Sequence, residues 1–470
     1  MSTESGLSSL RRSGADVQLP GDPGYDRVRT TWALAVDLRP AAVAFPRDAD
    51  EVAAVVRAAA SAGLRVAPLG TGHNAHALGD LSGSVLLRTS AMTGIEIDPA
   101  ARRARVRAGE VWQPVVQGAA AHGLAPLHGS SPDTGVVGYT LGGGVSWYGR
   151  ELGLAANSVT AVELVGADGE LRRVDAEHDP DLFWAVRGGG GANFGVVTAL
   201  DFALYPIETA YAGMLVWDLR DAHRVLSRWA PWAVDAPDAI TTSYRNLQFP
   251  PIPEIPEPFR GRRLVVIDGA ALAGDDEAER ILAPLRELRP EIDTFARVPA
   301  ATLSRLHMDP EQPTPGGGRS ALLDELPSAA VDRLVETAGP DSGTSLFLAA
   351  ELRQLGGALG RAQPGAGALA RLDGQFQLIT GGIMLGEQAK QTIADGERVV
   401  DALAPWSRGR QYLNFQEERV DPASGFDAAD WAALRRIREA VDPGGLFQAN
   451  HEIPGGGAAP AASGERALQR

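Results

Sequence analysis

The sequence contains no cysteine. That excludes disulfides, thiolate nucleophiles, cysteine-ligated iron–sulfur clusters and thiolate zinc sites, and it is compatible with any compartment. No run of about 18 apolar residues is present, so no membrane-spanning helix and no membrane partner are expected. Arg11 and Arg12 precede Ser13-Gly14-Ala15-Asp16 rather than an apolar stretch, which does not support a signal peptide and leaves a cytoplasmic protein as the simplest expectation. Long basic blocks are also missing, and the formal net charge is −15, so nucleic acid is not an expected partner. Neither the Gly-x-Gly-x-x-Gly dinucleotide fingerprint nor a Gly-Lys-Ser/Thr phosphate loop occurs, which disfavours nicotinamide and nucleoside-triphosphate enzymes.

What is there is an ordinary folded composition, 44% hydrophobic and 22% charged, over 470 residues. That length exceeds a single core, so two domains are expected. After a Ser- and Gly-rich N-terminus over 1–20, read as mobile, Asp48 and Glu51 are spaced like a capping box. Val52, Val55, Val56, Ala59 and Ala60 then follow helical periodicity and Gly63 closes the helix. Short strands are expected at Leu64–Pro68, Val85–Leu87 and Val106–Ala108, with a helix over Val111–Ala121. Glycine is densest in 129–205, a stretch that also carries strand signals at Ser158–Val165 and Phe194–Leu204. From about 208 to 410, strands (Leu264–Ile267, Leu346–Ala350, Phe376–Ile379) alternate with amphipathic helices (Asp276–Leu288, Ala329–Ala338, Gln388–Leu403), and Gly316–Gly318 reads as a plain loop. Such a block suits a sheet with helices on one face. Helical Trp431–Val441 is stopped by Asp442-Pro443-Gly444-Gly445.

The chemistry-bearing stretch is Gly70-Thr71-Gly72-His73-Asn74, directly after a strand. Positive φ at Gly70 and Gly72 would let successive backbone amides converge on an anion such as a diphosphate, beside a nucleophilic imidazole. The plainer alternative is a turn with a surface histidine. A His73–His76 metal pair lacks nearby carboxylates other than Asp80 and lacks a His-Glu-x-x-His helix, so no metal site is expected. Gly142–Gly144 would allow either approach to a ring system or close packing of two segments.

Taken in order, these motifs resemble the berberine bridge enzyme-like family of FAD-linked oxidoreductases, of the vanillyl-alcohol oxidase type with a PCMH-type FAD-binding domain. The pieces are Pro68–Asn74, Gly129-Ser130-Ser131-Pro132-Asp133, Leu141–Gly144, Gly153–Ala155, Asp181–Gly191, Asn193–Val197, Tyr412–Phe415 and Asp442–Phe447, spread over most of 40–455. The resemblance implies an α+β fold: an N-terminal segment 1–35, a two-subdomain FAD-binding domain 36–207, a substrate lobe 208–410 with an antiparallel sheet covered by helices, and a return over 411–455; the Gly-, Ala- and Pro-rich composition of 456–470 reads as a disordered tail. It implies a flavin bonded through its 8α-methyl to His73, with Gly70, Thr71, Gly72 and Asn74 holding the diphosphate. Ser131, Asp133, Thr134, Gly135, Gly138, Gly143, Gly144, Gly195, Val197 and Asn450 would complete the cofactor site.

Several residues depart from that pattern. Ser131 stands where many relatives carry a second, cysteinyl flavin link, so attachment here would be mono-covalent. Thr134 replaces the usual apolar residue near the reactive flavin carbon and bears on oxygen access. Ser146 and Leu152 replace a usual glycine and tyrosine, and Asp373–Ile379 offers no obvious counterpart of the family's substrate-lobe base. Tyr412 is the implied proton acceptor, which requires a lowered pKa or transfer in concert with hydride loss. Asn414 would orient it or the substrate, and His451 is the alternative; fixing the substrate, or packing alone, would also explain Tyr412. The expectation is an FAD-dependent oxidase of a small organic alcohol or secondary metabolite with molecular oxygen as acceptor. Its rivals are a dehydrogenase of the same fold, a flavin-binding protein without turnover and a metal-dependent hydrolase. Trp217, Arg353, Gln354, Gln375 and Gln377 are plausible substrate contacts. Oligomeric state is not legible.

Overall fold

The computed structural model describes residues 3–253, 255–344 and 349–455, and the expected tail lies outside them. Local signals start the first unit. The Asp48 carboxylate accepts from the Glu51 amide and Gly63 closes the helix Ala49–Ala62 in the left-handed region, φ 71°. Glu51 does not complete the box at Asp48; its carboxylate accepts from the Arg47 amide at 2.8 Å. Val52, Val55, Val56 and Ala59 are buried against a four-stranded sheet. That sheet has the order Asp16–Gln18, Ala42–Phe45, Ser84–Arg88, Arg65–Leu69. Its last three strands are parallel, as a helical crossover between strands requires.

A five-stranded antiparallel sheet follows, ordered Ile95–Asp98, Arg103–Arg107, Val196–Ala203, Val159–Val165, Leu171–Asp175. The third sheet has eight antiparallel strands running from Thr209–Asp218 to Phe376–Ile383 in sequence. Helices Ala222–Asp235, Asp275–Arg286, Ser328–Ala338 and Gly386–Leu403 bury their apolar stripes on one of its faces. The opposite face meets the glycine-rich region, where Ala210, Ala212 and Ala270 pack with Trp147 and Tyr148.

After helix Ala428–Val441 the chain returns to the first sheet: the Val66 amide donates to Leu446 O, and the Gln448 amide to Val66 O, both at 2.8 Å. The Asp442 carboxylate accepts the Leu446 and Phe447 amides and pairs with buried Arg438 at 2.8 Å. This brings Asn450 and His451 beside the loop after Arg65–Leu69.

Two expectations are corrected. The N-terminus contains a helix, Thr3–Arg11, and a strand, Asp16–Gln18, because Leu10 and Val17 find places in the first core. Gly316–Gly318 is not a loop but opens the strand Gly316–Leu323, paired with Ile383, Gly382 and Gly381. Glycine carries no side-chain alternation, so its partner strand alone decides its conformation. The strand expected at Leu346–Ala350 falls mostly on undescribed residues; Ala349–Gln354 is a strand.

Candidate active site

A cavity of about 470 Å³ opens between the first two sheets and the bare face of the third, a size ordinary for a cofactor or ligand site. One wall is the 70–74 loop. Gly72 has φ 85°, and a side chain there would come within 2.6 Å of Thr31 Cβ; Gly70 does not adopt positive φ. Among the described residues, no backbone or side-chain acceptor takes the five successive amides of Gly70 to Asn74. His73 stacks on Trp32 with centroids 4.1 Å apart and planes at 18°. Its Nδ1 and Thr71 Oγ1 are hydrogen-bonded at 2.7 Å. Its Nε2 is buried without a hydrogen-bond partner, 3.4 Å from Asp133 Oδ1 but out of line for a bond. Asp133 in turn accepts from the Trp32 indole at 2.6 Å and the Ser131 hydroxyl at 2.8 Å. Burial pushes its carboxyl upward, but the His73 ring, Ser131 and Trp32 outweigh this and hold it down at about 2.

The facing wall carries the segment Tyr412–Phe415. The Tyr412 hydroxyl accepts from the Gly144 amide at 2.8 Å, and Asn414 Nδ2 lies 3.4 Å from it while donating to Tyr139 O at 2.9 Å. Burial raises the Tyr412 phenol to about 12 despite the opposing effects of Asn414, the Gly144 amide and Arg353. A side chain at Gly142 would sit 2.2 Å from Asn414 Oδ1, so that glycine sets how closely the two walls approach. His451 Nε2 pairs with Gln416 O at 3.0 Å, its Nδ1 has no hydrogen-bond partner among the described residues, and burial lowers its pKa.

Above this wall the bare face of the third sheet carries a buried charge network. His307 lies between Asp268 (Nδ1–Oδ2 2.8 Å) and Glu351 (Nε2–Oε2 3.2 Å), while Arg245 pairs with Asp268 and Arg353 with Glu351. Burial and Arg245 oppose charge on His307, but Asp268, Glu351 and Asp309 outweigh them and raise it to about 9. Glu351 is held well below the carboxylate range: burial opposes this, and Arg353 and His307 overcome it.

With this geometry in place, comparison with known proteins is informative. A family model described as an FAD binding domain matches residues 40–175. The uncharacterized FAD-linked oxidoreductase YvdP of Bacillus subtilis is 26% identical over 92% of this chain and 96% of its own length. (R)-6-hydroxynicotine oxidase of Paenarthrobacter nicotinovorans is 36% identical over 203 residues, 43% of this chain and 44% of that protein. Wild-type BBE-like 1 of Physcomitrella patens superposes with a TM-score of 0.83 over 97% of this chain and 99% of its own, at 20% identity. The chain is an FAD-linked oxidoreductase with the berberine bridge enzyme-like fold.

The oxidoreductase fits FAD on its own residues: five free amides suit a diphosphate, and an orphaned imidazole nitrogen stands at the cavity edge. Of the expected cofactor residues, Gly70–Asn74, Ser131, Thr134, Gly135, Gly138, Gly195, Val197 and Asn450 line the cavity, as do Tyr412 and Asn414. Asp133 does not, acting one layer back through His73 and Ser131. Gly143 and Gly144 also stand behind the wall, against Leu369 and Tyr412 and against Ala155 and Tyr139; Gly142 faces in instead. Among the expected substrate contacts only Arg353 lines the cavity. Trp217 donates to Leu288 O in the helix-side core, Gln354 bonds Thr242 and Ala233, Gln377 bonds Ala321 O and Leu378 O within the sheet, and Gln375 is on another surface. Trp32 and Asp309 had no sequence signal, because nothing near either residue marks it as belonging to the site. No helix of the described residues is long and apolar enough to cross a membrane.

Proposed function

We propose that this oxidoreductase is an oxidase carrying a flavin bonded covalently, and only once, through His73, and that it oxidises a small organic alcohol with molecular oxygen as acceptor. The observation that supports the attachment is His73 Nε2, buried, unpartnered and at the rim of a cavity edged by five free amides. Bound FAD would supply a two-electron acceptor for the hydride of an activated C–H bond.

The chain's own residues do the rest. Trp32 stacking and the Thr71 bond fix the His73 ring, and Asp133 places negative charge beside it. Gly70–Asn74 hold the diphosphate, while Thr134, Gly135, Gly138, Gly195, Val197 and Asn450 close around the remainder of the cofactor. Tyr412, raised to about 12, remains a phenol at neutral pH. It is therefore a hydrogen-bond donor to substrate rather than a standing base, with Asn414 and the Gly144 amide fixing its oxygen. Proton acceptance by Tyr412 would have to be concerted with hydride loss. The oxidase name of the nicotinovorans relative favours oxygen over another acceptor.

Acid precipitation of the purified protein tests the attachment. A yellow, fluorescent pellet is expected, and the His73→Ala variant should release all of its flavin to the supernatant. A colourless wild-type pellet refutes the covalent link. Hydrogen peroxide formed in step with turnover is expected; substrate-dependent bleaching without peroxide would favour the dehydrogenase reading.

A further inference from the structure

A second pair of groups faces the same cavity from the roof, both within reach of one hydroxyl. Ser130 Oγ donates to Asp309 Oδ2 at 2.7 Å, and Arg353 Nη2 lies 3.4 Å from the same oxygen. Arg353 is anchored by Nε on Glu351 and by its guanidinium over the Phe415 ring at 5.0 Å. Among the described residues its Nη1 makes no hydrogen bond, and the side chain lines the cavity. Asp309 also lines the cavity; among the described residues its Oδ1 is uncommitted and it has no ion pair. The roof thus offers a free donor and a free acceptor next to each other.

Charge selects what fits there. Arg245, Arg353 and the His307 imidazolium balance Asp268, Glu351 and Asp309, so the network is neutral with His307 protonated. An anionic ligand would meet the Asp309 carboxylate, and an ammonium would meet the Arg353 guanidinium, in a setting where water screens little. A neutral hydroxyl can accept from one and donate to the other.

We propose that Asp309 and Arg353 together receive the substrate's hydroxyl: Arg353 donates to its oxygen and Asp309 takes its proton. This rests on the oxidase reading. In the step, the O–H bond breaks and its proton goes to Asp309. The C–H bond of the carbinol carbon breaks and its electron pair leaves as hydride to the oxidised flavin. A C=O bond forms, held by Arg353. Substrate loses two electrons and the flavin gains them. Tyr412 then has no need to ionise.

The test begins with binding to the flavin-loaded protein, read by equilibrium dialysis and flavin difference spectra, using benzyl alcohol, benzylamine and benzoate. Wild type should bind benzyl alcohol at least about tenfold more tightly than either charged probe. Asp309→Asn, which keeps shape but removes the negative charge, should shift preference toward benzoate, and Arg353→Met should shift it toward benzylamine. A wild-type preference for a charged probe, no measurable binding of benzyl alcohol, or unchanged preference in Asp309→Asn overturns the pair. Asp309→Asn decides alone if Arg353→Met does not fold. The alcohol that bleaches the flavin fastest under anaerobic mixing should then do so roughly 10²-fold more slowly in Asp309→Asn; an unchanged rate overturns the proton assignment. If no alcohol bleaches a properly loaded flavin, the oxidase reading and the proton step fall together, whereas a failed probe preference removes only the pair.

Discussion

His307 makes the stability of this oxidoreductase depend on pH above neutrality. Its ring is 2% exposed and lies between two carboxylates. Its pKa rises from the model-compound value of 6.5 to about 9 on folding. A group whose pKa is raised on folding stabilises the protein fully below its unfolded pKa, and that contribution disappears as pH climbs through the folded pKa. The window is therefore pH 6.5 to 9, and the size is on the order of 3 kcal/mol. For a lobe of this size, that corresponds to a fall in melting temperature of roughly 6–12 °C. The experiment follows thermal unfolding of wild type and His307→Gln from pH 6 to 9.5. The variant removes the charge at every pH, leaving Asp268 and Glu351 short of a partner, and should lie about 3–5 kcal/mol below wild type at pH 6. As wild type loses its proton, the gap should close by most of the 3 kcal/mol. A gap that is constant or widens over this range refutes the protonated-His307 account, because no other group is removed in the comparison.

Three further outcomes are expected. Tyr412→Phe leaves the buried Gly144 amide without its acceptor, which should cost about 1–3 kcal/mol in unfolding free energy with flavin content retained. Gly72→Ala combines φ 85° with a 2.6 Å approach to Thr31; flavin loading, read as the ratio of visible to ultraviolet absorbance, should fall severalfold while far-ultraviolet circular dichroism is preserved. Asp442→Ala strips a buried Arg438 of its carboxylate and two backbone amides of their acceptor. It should lower stability by about 3–5 kcal/mol and expose the chain after residue 442 to limited proteolysis.

Much of the fold was readable where short-range chemistry decides it. The Asp48 cap, the helical stripe from Val52 to Ala60 and the Gly63 stop are all contained within sixteen residues, and the helix Ala49–Ala62 stands where they put it. The helix stop at Asp442-Pro443 was legible for the same reason. The Gly70–Asn74 loop was legible as a candidate anion site because successive amides and a histidine need no distant partner to be recognised. What failed depended on partners. Gly316–Gly318 became strand only because Gly381–Ile383 lies beside it, and the N-terminal residues became ordered because a core was waiting for Leu10 and Val17.

Composition and motif order, read without coordinates, determined the cofactor class, the candidate anchoring histidine and the absence of any cysteinyl link. Only the tertiary structure decided the setting of each group around that histidine. Tyr412 is a phenol rather than a ready base because folding buries it, and a buried phenolate is costly. Ser130, Asp309 and Arg353 form one site although they are separated by 179 and 223 residues from the shared serine. Charge and solvation are properties of a three-dimensional neighbourhood, so no spacing along the chain could have revealed them.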